Sequence, residues 1–93
     1  MKLLLVKTSS LGDVLHALPA LTEAHARVPA LECHWVVEES YAAIPAWHPA
    51  VTRVIPVALR RWRRAPLAAF RSRQVPDFLR HLRAQRYDCV LDA

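Results

Sequence analysis

Lys2-Leu3-Leu4-Leu5-Val6-Lys7 followed by Thr8-Ser9-Ser10-Leu11-Gly12-Asp13 is the stretch on which the fold turns. A nearly continuous apolar run closed by three small polar residues is the pattern of a parallel strand covered on both faces, running into a turn. From Asp13 onward Val14, Leu18, Leu21 and Val28 recur at helical spacing, and Glu23 and Arg27 stand four apart as an ion pair on one face. A strand, a tight turn and a helix follow one another. The helix is expected to end near Val28-Pro29, with a kink at Pro19, which lacks an N–H and crowds the preceding turn.

Working outward, Glu32 to Glu38 (ECHWVVE) reads as a second apolar strand, and 39–47 as a short helix or irregular turn interrupted by Pro45. Arg53 to Val57 is a third strand, which Pro56 assigns to a sheet edge or a strand end. Residues 58–71 mix arginine with Trp62 and Pro66 and predict an exposed loop with one helical turn. Gln74 to Gln85 places Val75, Phe78, Leu79 and Leu82 on one side and Asp77, Arg80, Arg83 and Arg86 toward water, an amphipathic helix. Asp88 to Asp92 is the fourth strand. The fold class is therefore α/β, a right-handed parallel sheet corresponding to the first half of a doubly wound domain. Because the sequence stops just after a strand, one sheet face is expected to lie open, and residues 1–93 are expected to be the first part of a longer protein.

Composition narrows the function classes. Ninety-three residues hold one small domain, and a 54% hydrophobic content argues against disorder. Gly12 is the only glycine, which excludes glycine-rich phosphate loops. The apolar N-terminal run is too short for a signal-peptide core or a membrane span, so a soluble or membrane-peripheral protein is expected. Cys33 and Cys89 have neither the number nor the spacing of a disulfide scaffold or zinc site, which suits a reducing cytoplasm; strands flanking the first on opposite sides would hold them too far apart to bridge. Net charge is +5, but residues 1–51 carry −2 and residues 52–93 carry +7. Between Glu39 and Asp77 there is no carboxylate, while seven arginines occur: Arg53, Arg60, Arg61, Arg63, Arg64, Arg71 and Arg73. Arginine forks grip phosphate or carboxylate in bidentate fashion, so an anionic partner is implied: nucleic acid, a membrane surface or a phosphorylated glycolipid. Trp62, read as an exposed aromatic among cations, favours an interface.

The turn after the first strand lies where open α/β sheets bind ligands. Gly12 lets a backbone approach a ligand, free amides at the helix start favour an anion, and Asp13 is the turn's only carboxylate. Two roles stand open for Asp13, a helix cap and a catalytic carboxylate. His16 could relay protons from the same helix face. Ser9 and Ser10 lack a nucleophile elbow, and His25, His34, His48 and His81 show no metal-ligand spacing.

VKTSSLGDVLHALPALT (6–22), WVVEE (35–39), IPAWHPAVTRVIPVALRRWRR (44–64) and YDCVLDA (87–93) together resemble the start of the lipopolysaccharide heptosyltransferase I family. The resemblance implies a Rossmann-like, partial N-terminal acceptor-side domain of a GT-B glycosyltransferase, with the C-terminal nucleotide-sugar domain outside this chain. It implies an inverting, metal-independent and cofactor-free transfer of L-glycero-D-manno-heptose from ADP-heptose to Kdo of Kdo-lipid A, at the cytoplasmic face of the inner membrane. It also implies Asp13 as general base, Arg60, Arg61, Arg63 and Arg64 as acceptor-binding residues, and Ser9, Ser10 and Gly12 as substrate contacts. These 93 residues alone are then expected to be inactive. The competing expectation is a basic nucleic-acid- or anionic-membrane-binding module using Arg60 to Arg64; as a nucleic-acid binder it leaves the acidic first half and the SSLGD turn unexplained.

Overall fold

A computed structural model describes residues 1–92, the side chain of Arg60 lying outside the described set. Strands β1 (Lys2–Val6), β2 (Glu32–Glu38), β3 (Val51–Val57) and β4 (Cys89–Asp92) form one parallel sheet in the order β3-β2-β1-β4. Helix α1 (Leu11–Arg27) joins β1 to β2 and runs unbroken through Pro19. Two 3-10 turns, Glu39–Tyr41 and Pro45–Trp47, lead to β3, and α4 (Gln74–Ala84) precedes β4. Pro56 lies on β3, an edge strand, where a missing N–H costs no central ladder bond.

Residues 58–71 depart from expectation. They form two short helices, α2 (Leu59–Arg64) and α3 (Pro66–Arg71), rather than a loop. Each is six residues long, too short to display a 3.6-residue period, and their stability comes from packing rather than propensity.

Strand alternation divides the core in two. Leu3, Leu5, Cys33, Trp35 and Val37 face α1 and meet its buried Val14 and Leu21. Leu4, Val36, Ile55 and Val57 face the other side, where Leu59, Trp62, Phe78 and Leu82 pack on them. The expectation of an open sheet face is therefore corrected: α2 and α4 cover the face opposite α1. What is exposed is β4, where Val90 and Leu91 keep 61% and 50% of their surface in water. Cys33 and Cys89 are both free, and both pair in register with Leu3 from opposite sides. Two strand spacings, about 10 Å, separate them. Burial pushes the Cys33 thiol up to about 11, which keeps it protonated and inert.

Two buried histidines give the fold a pH dependence. His48 Nδ1 accepts the Ala50 N–H at 3.0 Å and Nε2 lies 2.8 Å from Thr22 Oγ1, while His34 Nδ1 lies 2.8 Å from the Tyr87 hydroxyl. Burial lowers the pKa of both; the charge of His25 adds to this at His48, and those of Lys2 and Arg53 at His34. Unfolded, both return to the ordinary histidine value of about 6.5, so at lower pH the unfolded chain binds more protons than the native one. Stability is thus complete above that value and falls as pH drops through it. The urea midpoint is expected to decline between about pH 7 and about pH 5, with a shallower slope in a His34→Gln/His48→Gln variant. An unchanged slope in that variant would assign the pH dependence to other groups.

Candidate functional site

The carboxyl end of β1 is held by its neighbour before the turn begins. Lys7 N–H donates to the Val36 carbonyl at 3.2 Å, and Glu38 N–H donates to the Thr8 carbonyl at 3.0 Å. The indole N–H of Trp35, a side chain with no exposed surface, donates to the Lys7 carbonyl at 3.1 Å. Three bonds with β2 therefore fix Lys7 and Thr8, and the Ser9–Ser10 turn starts from that held carboxyl end of β1. Ser10 caps α1, and its carbonyl accepts the Val14 N–H at 2.8 Å. The Ser10 backbone N–H and Oγ donate to Asp13 Oδ2 at 3.5 and 3.3 Å. Asp13 thus does what a capping carboxylate does, while staying on the surface where a substrate can reach it. Gly12 has an ordinary backbone φ, and a Cβ added there would meet nothing within 4 Å. The fold itself does not demand glycine at this position.

Two acids at the end of β2 tie down the start of α2. The Glu38 carboxylate accepts the Leu59 N–H at 3.2 Å, which satisfies one of the free amides at the helix start. Glu39 pairs with Arg61 at 2.8 Å, and Arg61 also donates to Gln74 Oε1 at 3.0 Å. Between these elements lies a cleft of about 300 Å³, lined by Thr8, Ser9, Glu38, Ser40, Tyr41, Leu59 and Arg63. A larger groove of about 460 Å³ lies between β3 and α4. The smaller cleft is the better candidate, because it sits outside the carboxyl ends of β1 and β2, where parallel sheets bind ligands.

No family model matches the chain. Among curated proteins it is 56% identical to lipopolysaccharide heptosyltransferase 1 of Pseudomonas aeruginosa, 55% to that of Escherichia coli K12 and 54% to that of Salmonella typhimurium, each over all 93 residues. Two solved structures of Escherichia coli heptosyltransferase WaaC, one with ADP and one with ADP-2-deoxy-2-fluoro heptose, match 99% of the chain at 54% identity with TM-scores of 0.93 and 0.92. The resemblance to lipopolysaccharide heptosyltransferase 1 holds along the entire chain. The chain spans 26–29% of the length of these relatives, and 29% of each solved chain.

Within this heptosyltransferase-like segment the expected site residues divide into groups. Ser9 and Arg63 line the same cleft. Ser10, Gly12 and Asp13 occupy the adjoining end of α1, all exposed. Arg64 is exposed on α2 outside the residues lining that cleft, and Arg61 is held by Glu39 and Gln74. Arg60 belongs to α2, but its side chain lies outside the described residues. Trp62 corrects its expectation. It is half-buried, its ring 5.9 Å from that of Phe78 and its Nε1 donating to Gln74 at 2.8 Å, so it is not free to stack on a base. The nucleic-acid alternative loses the feature that favoured it. Glu38 and Glu39 were missed as organisers of the site, although their position at the end of an apolar strand was the available signal. Among the described residues no group of three or more His, Cys, Asp or Glu side chains could hold a metal ion.

Proposed function

We propose that the chain is the acceptor-side part of a heptosyltransferase of GT-B architecture, which moves L-glycero-D-manno-heptose from ADP-heptose to Kdo of Kdo-lipid A without a metal or cofactor. The observation that carries this is the TM-score of 0.92 at 54% identity with the WaaC structure holding an ADP-heptose analogue. In this proposal Asp13 takes the proton from the attacking acceptor hydroxyl. The hydroxyl oxygen forms the new glycosidic bond on the face opposite ADP, the anomeric bond to ADP breaks, and configuration inverts. Diphosphate leaves as an anion at neutral pH, so one carboxylate suffices where a glycoside hydrolase needs two.

Arg63 faces the cleft and suits an acceptor phosphate or carboxylate; Arg60 and Arg64 supply further charge along α2, and Arg61 joins them by exchanging its pair with Glu39 for the acceptor. That exchange costs little, since an exposed ion pair contributes about 0–1 kcal/mol. Ser9, Ser10 and Gly12 meet the substrate at the turn. The lipid acceptor implies work at the cytoplasmic face of the inner membrane.

The test is a chimera in which this chain replaces the matching segment of the Escherichia coli enzyme, assayed for heptose transfer from ADP-heptose to a Kdo acceptor. Transfer is the expected result. A folded chimera that binds ADP-heptose but transfers nothing would overturn the proposal.

A further inference from the structure

Helix α3 is amphipathic in the wrong sense for a surface helix. Its small Ala69 is buried, at 5% exposure, while Leu67 and Phe70 stand 72% and 56% exposed. These two large apolar side chains are three residues apart and share one outward face. Exposed Arg63 and Arg64 on α2, and Arg71 and Arg73 after Phe70, bracket them along the chain, and no carboxylate occurs between Glu39 and Asp77. Solubility alone does not explain why the largest residues face water.

We propose that α3 is a membrane wedge: Leu67 and Phe70 enter the acyl boundary of an anionic bilayer while the exposed Arg71 and Arg73 sit among its headgroups. Apolar side chains flanked by cations are what interfacial helices present to anionic lipid, and arginine is well matched to headgroup phosphates. A protein partner of ordinary composition would have to bring acids to both arginines beside its own apolar patch; an anionic leaflet supplies negative charge everywhere. No described helix is long and apolar enough to cross a membrane, so the contact is interfacial. The proposal deepens the function given above, on which it rests for the lipid acceptor, by assigning the surface that holds the enzyme where that acceptor lies.

The experiment is co-flotation of the chimera with vesicles of phosphatidylcholine, with or without phosphatidylglycerol, in parallel with transfer to a soluble, deacylated Kdo acceptor. The chimera is expected to float with the phosphatidylglycerol vesicles and to be released by salt. Leu67→Ser/Phe70→Ser is expected to lower vesicle partition at least roughly tenfold while soluble transfer is retained. Arg71→Gln/Arg73→Gln is expected to weaken binding to the anionic vesicles only. Retained soluble transfer with no flotation, or flotation unchanged in the Leu67→Ser/Phe70→Ser variant, overturns the wedge and leaves the transferase proposal intact. Flotation that depends on Leu67 and Phe70 in a chimera without transfer overturns the transferase proposal and supports the wedge.

Discussion

In the chimera, Asp13→Asn is expected to reduce heptose transfer by about 10²–10⁴-fold, the usual cost of losing a general base, with acceptor affinity nearly unchanged. The substitution isolates the proposed proton-accepting role because asparagine keeps the size of the side chain and one acceptor oxygen at this position. Its side-chain oxygen can still accept from the Ser10 N–H and Oγ, which now meet Asp13 Oδ2 at 3.5 and 3.3 Å. The stability change is accordingly expected to be small, about 1 kcal/mol or less. The measurement is kcat and KM for the acceptor together with the thermal midpoint. Full activity in a stable Asn variant would return Asp13 to capping alone and move the base elsewhere in the enzyme.

The largest effect on stability is expected at Trp35. Its side chain is fully buried between β2 and α1, and its Nε1–H holds the Lys7 carbonyl at 3.1 Å. Trp35→Ala leaves a large cavity and is expected to cost about 3–5 kcal/mol. That is a large share of the roughly 5–15 kcal/mol that holds a small domain together. Trp35→Phe keeps much of the ring volume and removes the hydrogen bond to the Lys7 carbonyl, at about 0.5–1.5 kcal/mol for the bond. Urea unfolding of the three proteins reads both effects. If transfer falls in the Phe variant more than its lost stability accounts for, the bond to Lys7 also positions the Thr8–Asp13 turn; equal losses restrict Trp35 to packing.

Much of the fold was legible before any tertiary contact was known. β1 and β2 are apolar because both sheet faces are covered, and that continuity is visible in Leu3 to Val6 and in Cys33 to Val37. α4 carries its apolar side chains at helical spacing, and β3 announces its edge position through Pro56. α2 and α3 were not legible, because six residues cannot display a period and Arg-rich sequence resembles a solvated loop. For the site, the turn with Gly12 and Asp13 and the arginine segment could be picked out by residue type. The state of Trp62 and Arg61 could not, since both depend on Gln74, which is distant in sequence.

By itself the sequence determined the alternation of strand and helix, the parallel class of the sheet and the concentration of positive charge in the second half, because these follow from local periodicity and composition. Only the tertiary structure decided which arginines are engaged, that Trp62 packs inward, that Leu67 and Phe70 face out, and that both sheet faces are covered over β1 and β2 while β4 stays exposed. Those outcomes rest on partners far apart in the chain: Glu38 with Leu59 across 21 residues, Glu39 with Arg61 across 22, and Lys7 with Trp35 across 28. Side chains at such separations meet only after the parallel crossovers have closed, and no local pattern encodes which of them will touch.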